Sequence, residues 1–428
     1  MSTTRRGFLL GLGGGVLGAA AAGATVNGLV SGDKDLDFPI KGTAFALGLY
    51  GQAHLDGFGP FWERRMKSSV ITEIELATGK YKQTWLPMAE GHHAQRLPDG
   101  KILCIGHHDV LSMVLNPDHS TSLIMRAPEG YLYGGHGQPL PELGVLIVPL
   151  RAQFAKSVKD TGLLEVYDLK TLQKLDSLTS GGIHPHEVRM LPSGKEFVIT
   201  HYGEVHEYQP GSPFEFNIVE PKLTVYDSKT LKPLRHYVQD VNAILTHMDV
   251  GTDGNVYAVL NQYVWDRTPP NDVMTKRKSP LEHFKDAWGT PTFNFDLNAI
   301  NDKQLAIPLP MLRINPQTGE VKELFTMPET QMRSQSVAAN PMSKRVFSTY
   351  THTNTLVVSD EGGETRAIPA FDLGILDIRG VATVPNTPYV LVAGQKRGLS
   401  LVDARTLQTV RRYDIPIFFS PHLSISDV

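Results

Sequence analysis

The chain has 428 residues, 41% of them hydrophobic and 20% charged, enough apolar content to bury a large core and too much for a disordered chain. A net charge of -3 gives no basic field for a phosphate backbone, which excludes nucleic acid as a partner. The lone cysteine, Cys104, rules out an intramolecular disulfide and, inside the apolar run KILCIG, reads as a small core residue.

Residues 1–37 read as a targeting segment and linker. Thr4-Arg5-Arg6-Gly7-Phe8-Leu9 has the form of a twin-arginine export motif. An apolar, Gly/Ala-rich stretch follows from Phe8 to Ala22, and Ala22-Gly23-Ala24 offers a small-residue cleavage site. The apolar run is short and weakly hydrophobic for a membrane span. The expectation is a periplasmic protein with no stable span once the signal is cleaved. Twin-arginine export carries folded chains, often with a cofactor inserted.

From residue 38 to the end, two alternating units repeat. One is a strand, a turn and a second apolar strand: HAQRLPDGKILCIG from His93, HGQPLPELGVLIV from His136, HEVRMLPSGKEFVIT from His186 and HMDVGTDGNVYAVL from His247. Two further copies carry Gln335 (QSVAANPMSKRVFST) and Arg379 (RGVATVPNTPYVLVA) in the same slot, and His422 opens a last half-copy, HLSISDV. The other unit is a hairpin, clearest in EVYDLKTLQKL from Glu165, TVYDSKTLKPL from Thr224 and SLVDARTLQTV from Ser400. Weaker copies start at Thr72, Ser112, Arg313 and Val357. Together the units predict an all-β fold, a seven-bladed β-propeller of four-stranded blades. The first hairpin is preceded by only one strand, TAFALGLYG from Thr43. The C-terminal HLSISDV is expected to supply the missing innermost strand, closing the ring through the two chain ends and removing an open edge.

Insertions interrupt the blades at Ala53 to Met66, Ala152 to Thr161, Gly203 to Glu220 and Tyr263 to Pro308. The spacing places all of them on the face where the opening strands begin. The longest carries Trp265, Phe284, Trp288 and Phe293, and is expected to act as a lid or as a contact for a periplasmic protein partner.

In a propeller, the seven slot residues converge on the axis. His93, His136, His186, His247 and His422 are the expected metal ligands, with Gln335 and Arg379 completing a ring that binds a cofactor or small molecule. All of the sixteen histidines except His119, His236 and His283 map to that face. Imidazole is the commonest neutral ligand for copper, iron and zinc, and its second nitrogen needs an acceptor. Glu187, Glu204 and Asp249 are the candidate acceptors. Two other readings stand beside the metal: a polar pocket for an anion or small molecule using Arg379, and histidines that serve structure alone, as Gly-His steps do in some propellers. No nucleotide-binding glycine loop, Gly-x-Ser-x-Gly elbow or His-Glu-x-x-His helix is present.

The run Tyr133 to Gly203 resembles a family of twin-arginine-exported bacterial propellers, domain-of-unknown-function family 1513. Its marks are matched by Gly135-His136-Gly137, by Thr161 to Asp168 and by Gly182-Ile183-His184-Pro185-His186-Glu187. Where the family usually has an Ala-Asn-Gly-Gly step, this chain has Thr200-His201-Tyr202-Gly203. The resemblance implies a periplasmic propeller of a kind considered alongside iron-uptake proteins, and no known reaction. The function expected is binding of a transition metal in the central channel, for metal handling or metal-dependent redox chemistry. The alternatives are a non-enzymatic binding propeller and, last, a lactonase-like hydrolase, which would need carboxylates where the slots hold histidine.

Overall fold

The computed structural model describes residues 25–27, 29–31, 36–50, 68–261 and 308–427, less 154, 156, 210, 211, 219, 240–242, 352 and 395–397. The described strands build seven four-stranded antiparallel blades of a β-propeller, with one extra two-stranded hairpin. Among the described residues there is no α-helix, and so none long and apolar enough to cross a membrane.

Blades 2 to 7 begin with Gly91–Arg96, Tyr131–Tyr133 with Gln138–Leu140, Pro185–Met190, Ile244–Val250, Ser334–Asn340 and Ile378–Thr383. Blade 1 takes its innermost strand from the C-terminus. Phe419–Ser426 pairs with Thr43–Tyr50, Leu423 opposite Ala46, so the chain ends close the ring as the repeat count requires.

Two sequence features explain the blade geometry. In the Tyr-Asp-x-x-Thr-Leu hairpins, the aspartate folds back on its own turn. Asp168 Oδ1 accepts the Thr171 amide at 2.6 Å and Asp227 Oδ1 the Thr230 amide at 2.6 Å. The following Leu172, Leu231 and Leu407 then take φ of 58°, 55° and 63°, the conformation Gly319 takes (φ 78°) in the Thr-Gly copy. The second feature is packing between blades. Seven apolar clusters each join two neighbours, from Phe45 and Leu47 against Ala94 and Cys104 between blades 1 and 2 to Leu391 and Leu401 against Ala44 and Leu423 between blades 7 and 1. At about 25 cal/mol per Å² of apolar area, this burial is the main force closing the ring.

Two short strands ahead of blade 1 also pair. Thr25–Asn27 adds to the outer strand of blade 1, with Val26 opposite Tyr81, and Leu29–Ser31 to that of blade 7, with Val30 opposite Tyr413. The Gly203 to Glu220 insertion contains the hairpin Glu204–Gln209 and Ser212–Ile218. The expected export motif, the 53–66 insertion, nearly all of Tyr263 to Pro308, and His54, His283 and His352 lie outside the described residues.

Candidate metal centre

The inner strands carry a β-bulge where they approach the axis. The register slips at His92 in blade 2, across His186-Glu187 in blade 4, Thr246-His247 in blade 5, Gln335 in blade 6 and Arg379-Gly380 in blade 7. A bulge sets two successive residues against one partner and re-aims the side chains. Each of these strands therefore presents two levels to the channel. Counted from the turns that follow (Pro98-Asp99-Gly100, Pro192-Ser193-Gly194, Thr252-Asp253-Gly254), the upper level holds His92, His186, Thr246, Gln335 and Arg379. The lower holds His93, Glu187, His247, Ser336 and Gly380. The single slot read from the sequence is thus two adjacent levels.

His92, His136, His247 and His422 each place one ring nitrogen within 4.8 Å of the others. Ring centroids are 4.1 Å apart for His92 and His422, 4.3 Å for His247 and His422, and 5.1 Å for His136 and His247. His186 joins the group through its Nε2, 3.4 Å from Nε2 of His247. His92 Nε2 and both ring nitrogens of His136 are buried without a hydrogen-bond partner. Blades 1 to 5 each contribute one of these five imidazoles; blades 6 and 7 contribute none.

The outer nitrogens of His186 and His247 are held. His186 Nδ1 donates to the Gly134 carbonyl and lies 3.2 Å from the Tyr202 hydroxyl. His247 Nδ1 donates to Glu187 Oε2 at 3.3 Å, and that oxygen also accepts the Met248 amide at 2.8 Å. Glu187 Oε1 binds the Arg189 guanidinium and lies 3.6 Å from His136 Nδ1. Burial pushes the Glu187 carboxyl up, but Arg189, His247 and the Met248 amide outweigh it and hold the group down at about 2. Burial, reinforced by neighbouring imidazoles, holds His92, His107, His136, His186 and His422 well below the usual range. His93, packed 4.6 Å from the His136 ring, is brought down to about 3 by burial and then by Arg189.

Neutral imidazoles with their Nδ1–H groups on acceptors expose Nε2 lone pairs, the form that binds metals. Two imidazole nitrogens about 2.0–2.1 Å from one tetrahedral ion lie about 3.4 Å apart, as Nε2 of His186 and His247 do. The cluster has the donor set and spacing to hold a transition-metal ion. A second close group, Glu90, His107 and His108, is a poorer cation site. The Arg151 guanidinium donates to His108 Nε2 and sets a fixed positive charge against it.

Of the residues expected as ligands, His136, His247 and His422 meet in the four-nitrogen cluster and His186 touches it. In blade 2 the cluster takes His92, while His93 faces the cavity beside it. Gln335 and Arg379 pair with each other at 3.1 Å, and Arg379 also binds Asp377 at 2.7 Å. Of the expected acceptors, Glu187 serves His247. Glu204 serves His184 at 3.2 Å, and Asp249 accepts the Ala339 amide at 2.7 Å. Other histidines are structural. His119 bridges Thr84 at 2.7 Å and Glu73 at 2.6 Å, and His201 donates to the Ser180 carbonyl at 2.8 Å. Cys104 is buried, and burial pushes its thiol up and out of reactive range.

Residues 89–288 match DUF1513, described as a protein of unknown function. The match takes in blades 2, 3 and 4 and the inner half of blade 5, and with them four of the five clustered histidines. It bears out the family resemblance of Tyr133 to Gly203. No curated protein matches the chain. Among solved structures the chain is similar to Kuenenia stuttgartiensis hydrazine synthase, with a TM-score of 0.53 and 11% identity over 79% of this chain and 92% of that one. It is also similar to Pseudomonas brassicacearum lignostilbene dioxygenase, with a TM-score of 0.58 and 12% identity over 94% of this chain and 95% of that one. At these identities the likeness is one of fold.

Proposed function

We propose that this DUF1513 protein is an exported periplasmic propeller that binds one transition-metal ion on its axis, for metal handling or metal-dependent redox chemistry. One observation carries the reading. His186 and His247 each commit Nδ1 to an acceptor and turn Nε2 on each other at 3.4 Å. Two lone pairs facing at that distance in a buried site repel unless a cation stands between them. His92, His136 and His422 surround the same point. An all-nitrogen donor set suits copper, iron or zinc.

In this reading Glu187 orients His247 and fixes its tautomer, the carboxylate–histidine arrangement found behind metal ligands. The Gly134 carbonyl does the same for His186. The metal would supply Lewis acidity and, if copper or iron, a one-electron change of charge. The twin-arginine start fits loading before or during export.

Elemental analysis tests this on protein exported through its own signal and purified without chelator or a His tag. Near one equivalent of copper, iron or zinc per chain is expected, lost in His247→Ala with the β-sheet circular dichroism intact. Metal-free protein that also takes up none of these ions on titration would overturn the proposal and leave the imidazoles a structural role.

A further inference from the structure

The ring of imidazoles has a chamber beneath it. Two residues beyond His93, Glu187, His247, Ser336 and Gly380 on their strands come Gln95, Arg189, Asp249, Ala338 and Ala382, and two beyond His136 and His422 come Gln138 and Ser424. All seven line a cavity of about 240 Å³ that reaches up to His93, His136, His247 and His422. Small residues form its wall in blades 6 and 7, so the centre is open on that side. At about 30 Å³ per water, the space holds an ion together with several of its waters.

The lining accepts hydrogen bonds. Thr383 and Ser424 spend their hydroxyl hydrogens on the Ala339 and Ala94 carbonyls, and Gln95 and Gln138 tie their amide nitrogens to the Gly137 and Pro139 carbonyls. Hydroxyl and amide oxygens are what remain for a ligand. His93 lines the same space, 4% exposed, and its Nδ1 has no hydrogen-bond partner among the described residues.

Charge points the same way. Of the described residues lining the chamber, Glu187 and Asp249 are acidic and Arg189 alone is basic. Arg189 binds Glu187 and stands 3.7 Å from Asp249, so one negative charge is left over beside the imidazoles. It belongs to Asp249, whose carboxyl is raised by burial although Arg189 and the Ala339 and Val250 amides pull it down. Water reaches this pair, since the Arg189 and Asp249 side chains are 26% and 27% exposed. A metal ion in water carries positive charge and presents its bound waters as hydrogen-bond donors, the complement of this lining; an anion meets net repulsion here.

We propose that the chamber is the entry site of the metal centre. A divalent transition-metal ion arrives with waters attached, is held by Asp249 and the surrounding oxygens, and exchanges those waters for His136, His247 and His422. The inference rests on the metal reading above and adds the form in which the ion arrives and the side it comes from.

The test mixes chelator-treated, full-length exported protein with cobalt(II) by stopped flow, with the visible absorption of the imidazole-bound ion reporting its arrival. Loading should slow with added sodium chloride. Asp249→Asn should slow it about tenfold and flatten that salt dependence, with cobalt still bound in full at saturation. Thr383→Lys, which sets a cation on the chamber wall, should slow it likewise, whereas Thr383→Gln, of similar length and no charge, should not. The Thr383 pair decides the matter if Asp249→Asn fails to fold. Equal slowing by the two Thr383 variants would reduce the effect to bulk and overturn the proposal. Unchanged loading in Asp249→Asn and Thr383→Lys would put entry on the side of His107 and His108 and overturn it, sparing the metal reading. Parent protein that gives no cobalt spectrum would overturn both.

Discussion

Acid should destabilise the metal-free protein at an unusually mild pH. Five enclosed imidazoles, His93, His136, His186, His201 and His422, are each less than 5% exposed, and burial lowers the pKa of every one, His93 and His201 to about 3. In the unfolded chain they titrate near 6.5. A group whose folded pKa is depressed leaves the unfolded state holding more protons as the pH falls, so stability is present above 6.5 and lost below it. Integrated from pH 7.5 to 5.5, each imidazole that stays neutral in the fold removes about 1.4 kcal/mol, and five remove about 7 kcal/mol. That is comparable to the whole stability of a typical domain and corresponds to a drop of roughly 10 °C in melting temperature for a chain of this size. The assay is thermal denaturation of chelator-treated protein followed by circular dichroism between pH 7.5 and 5. A bound metal, which competes with protons for the same nitrogens, should move the loss to lower pH. A melting temperature that stays within about 2 °C over this range would show that the imidazoles find protons inside the fold and would refute the reasoning.

The remaining predictions concern single groups. Glu187→Gln should keep the fold and weaken metal binding by about 10- to 100-fold, read by competition with a chelator; unchanged affinity would remove Glu187 from the site. His119→Ala, far from the axis, should cost about 1–3 kcal/mol in denaturant unfolding through the loss of its Thr84 and Glu73 partners, with metal content unaltered. Deleting residues 25–31 should raise amide exchange at Lys80 to Lys82 and Arg412 to Asp414, the backbone they pair with. Cys104 should resist alkylation in the native protein and react stoichiometrically once unfolded, because its thiol is buried and held protonated.

The architecture was legible in the chain because propeller repeats are written locally. The Asp-x-x-Thr-Leu turn, the Pro-x-Gly turn and period-2 apolar strands recur within a few residues, and each is decided by its own backbone chemistry. The missing first strand and the surplus HLSISDV settled the closure by counting. The convergence of histidines was legible for the same reason, since every copy aims one end of its inner strand at the axis.

What the repeats could not specify was which residue of each opening faces its neighbours. A β-bulge is a tertiary compromise between strand pairing and the crowding of seven strands at an axis, and it shifts the register by one. That shift put His92 rather than His93 in the four-nitrogen cluster, and aligned Glu187, not His186, with His247. Nothing local in GHHAQR or PHEVRM distinguishes these choices. The lone-pair confrontation of His186 and His247 arises between blades 4 and 5, 61 residues apart in sequence, and the pairing of Glu187 with His247 exists only once those blades are packed. The sequence by itself thus determined the fold and the gathering of imidazoles; contact across blades decided which nitrogens meet, what holds them and on which side the centre is open.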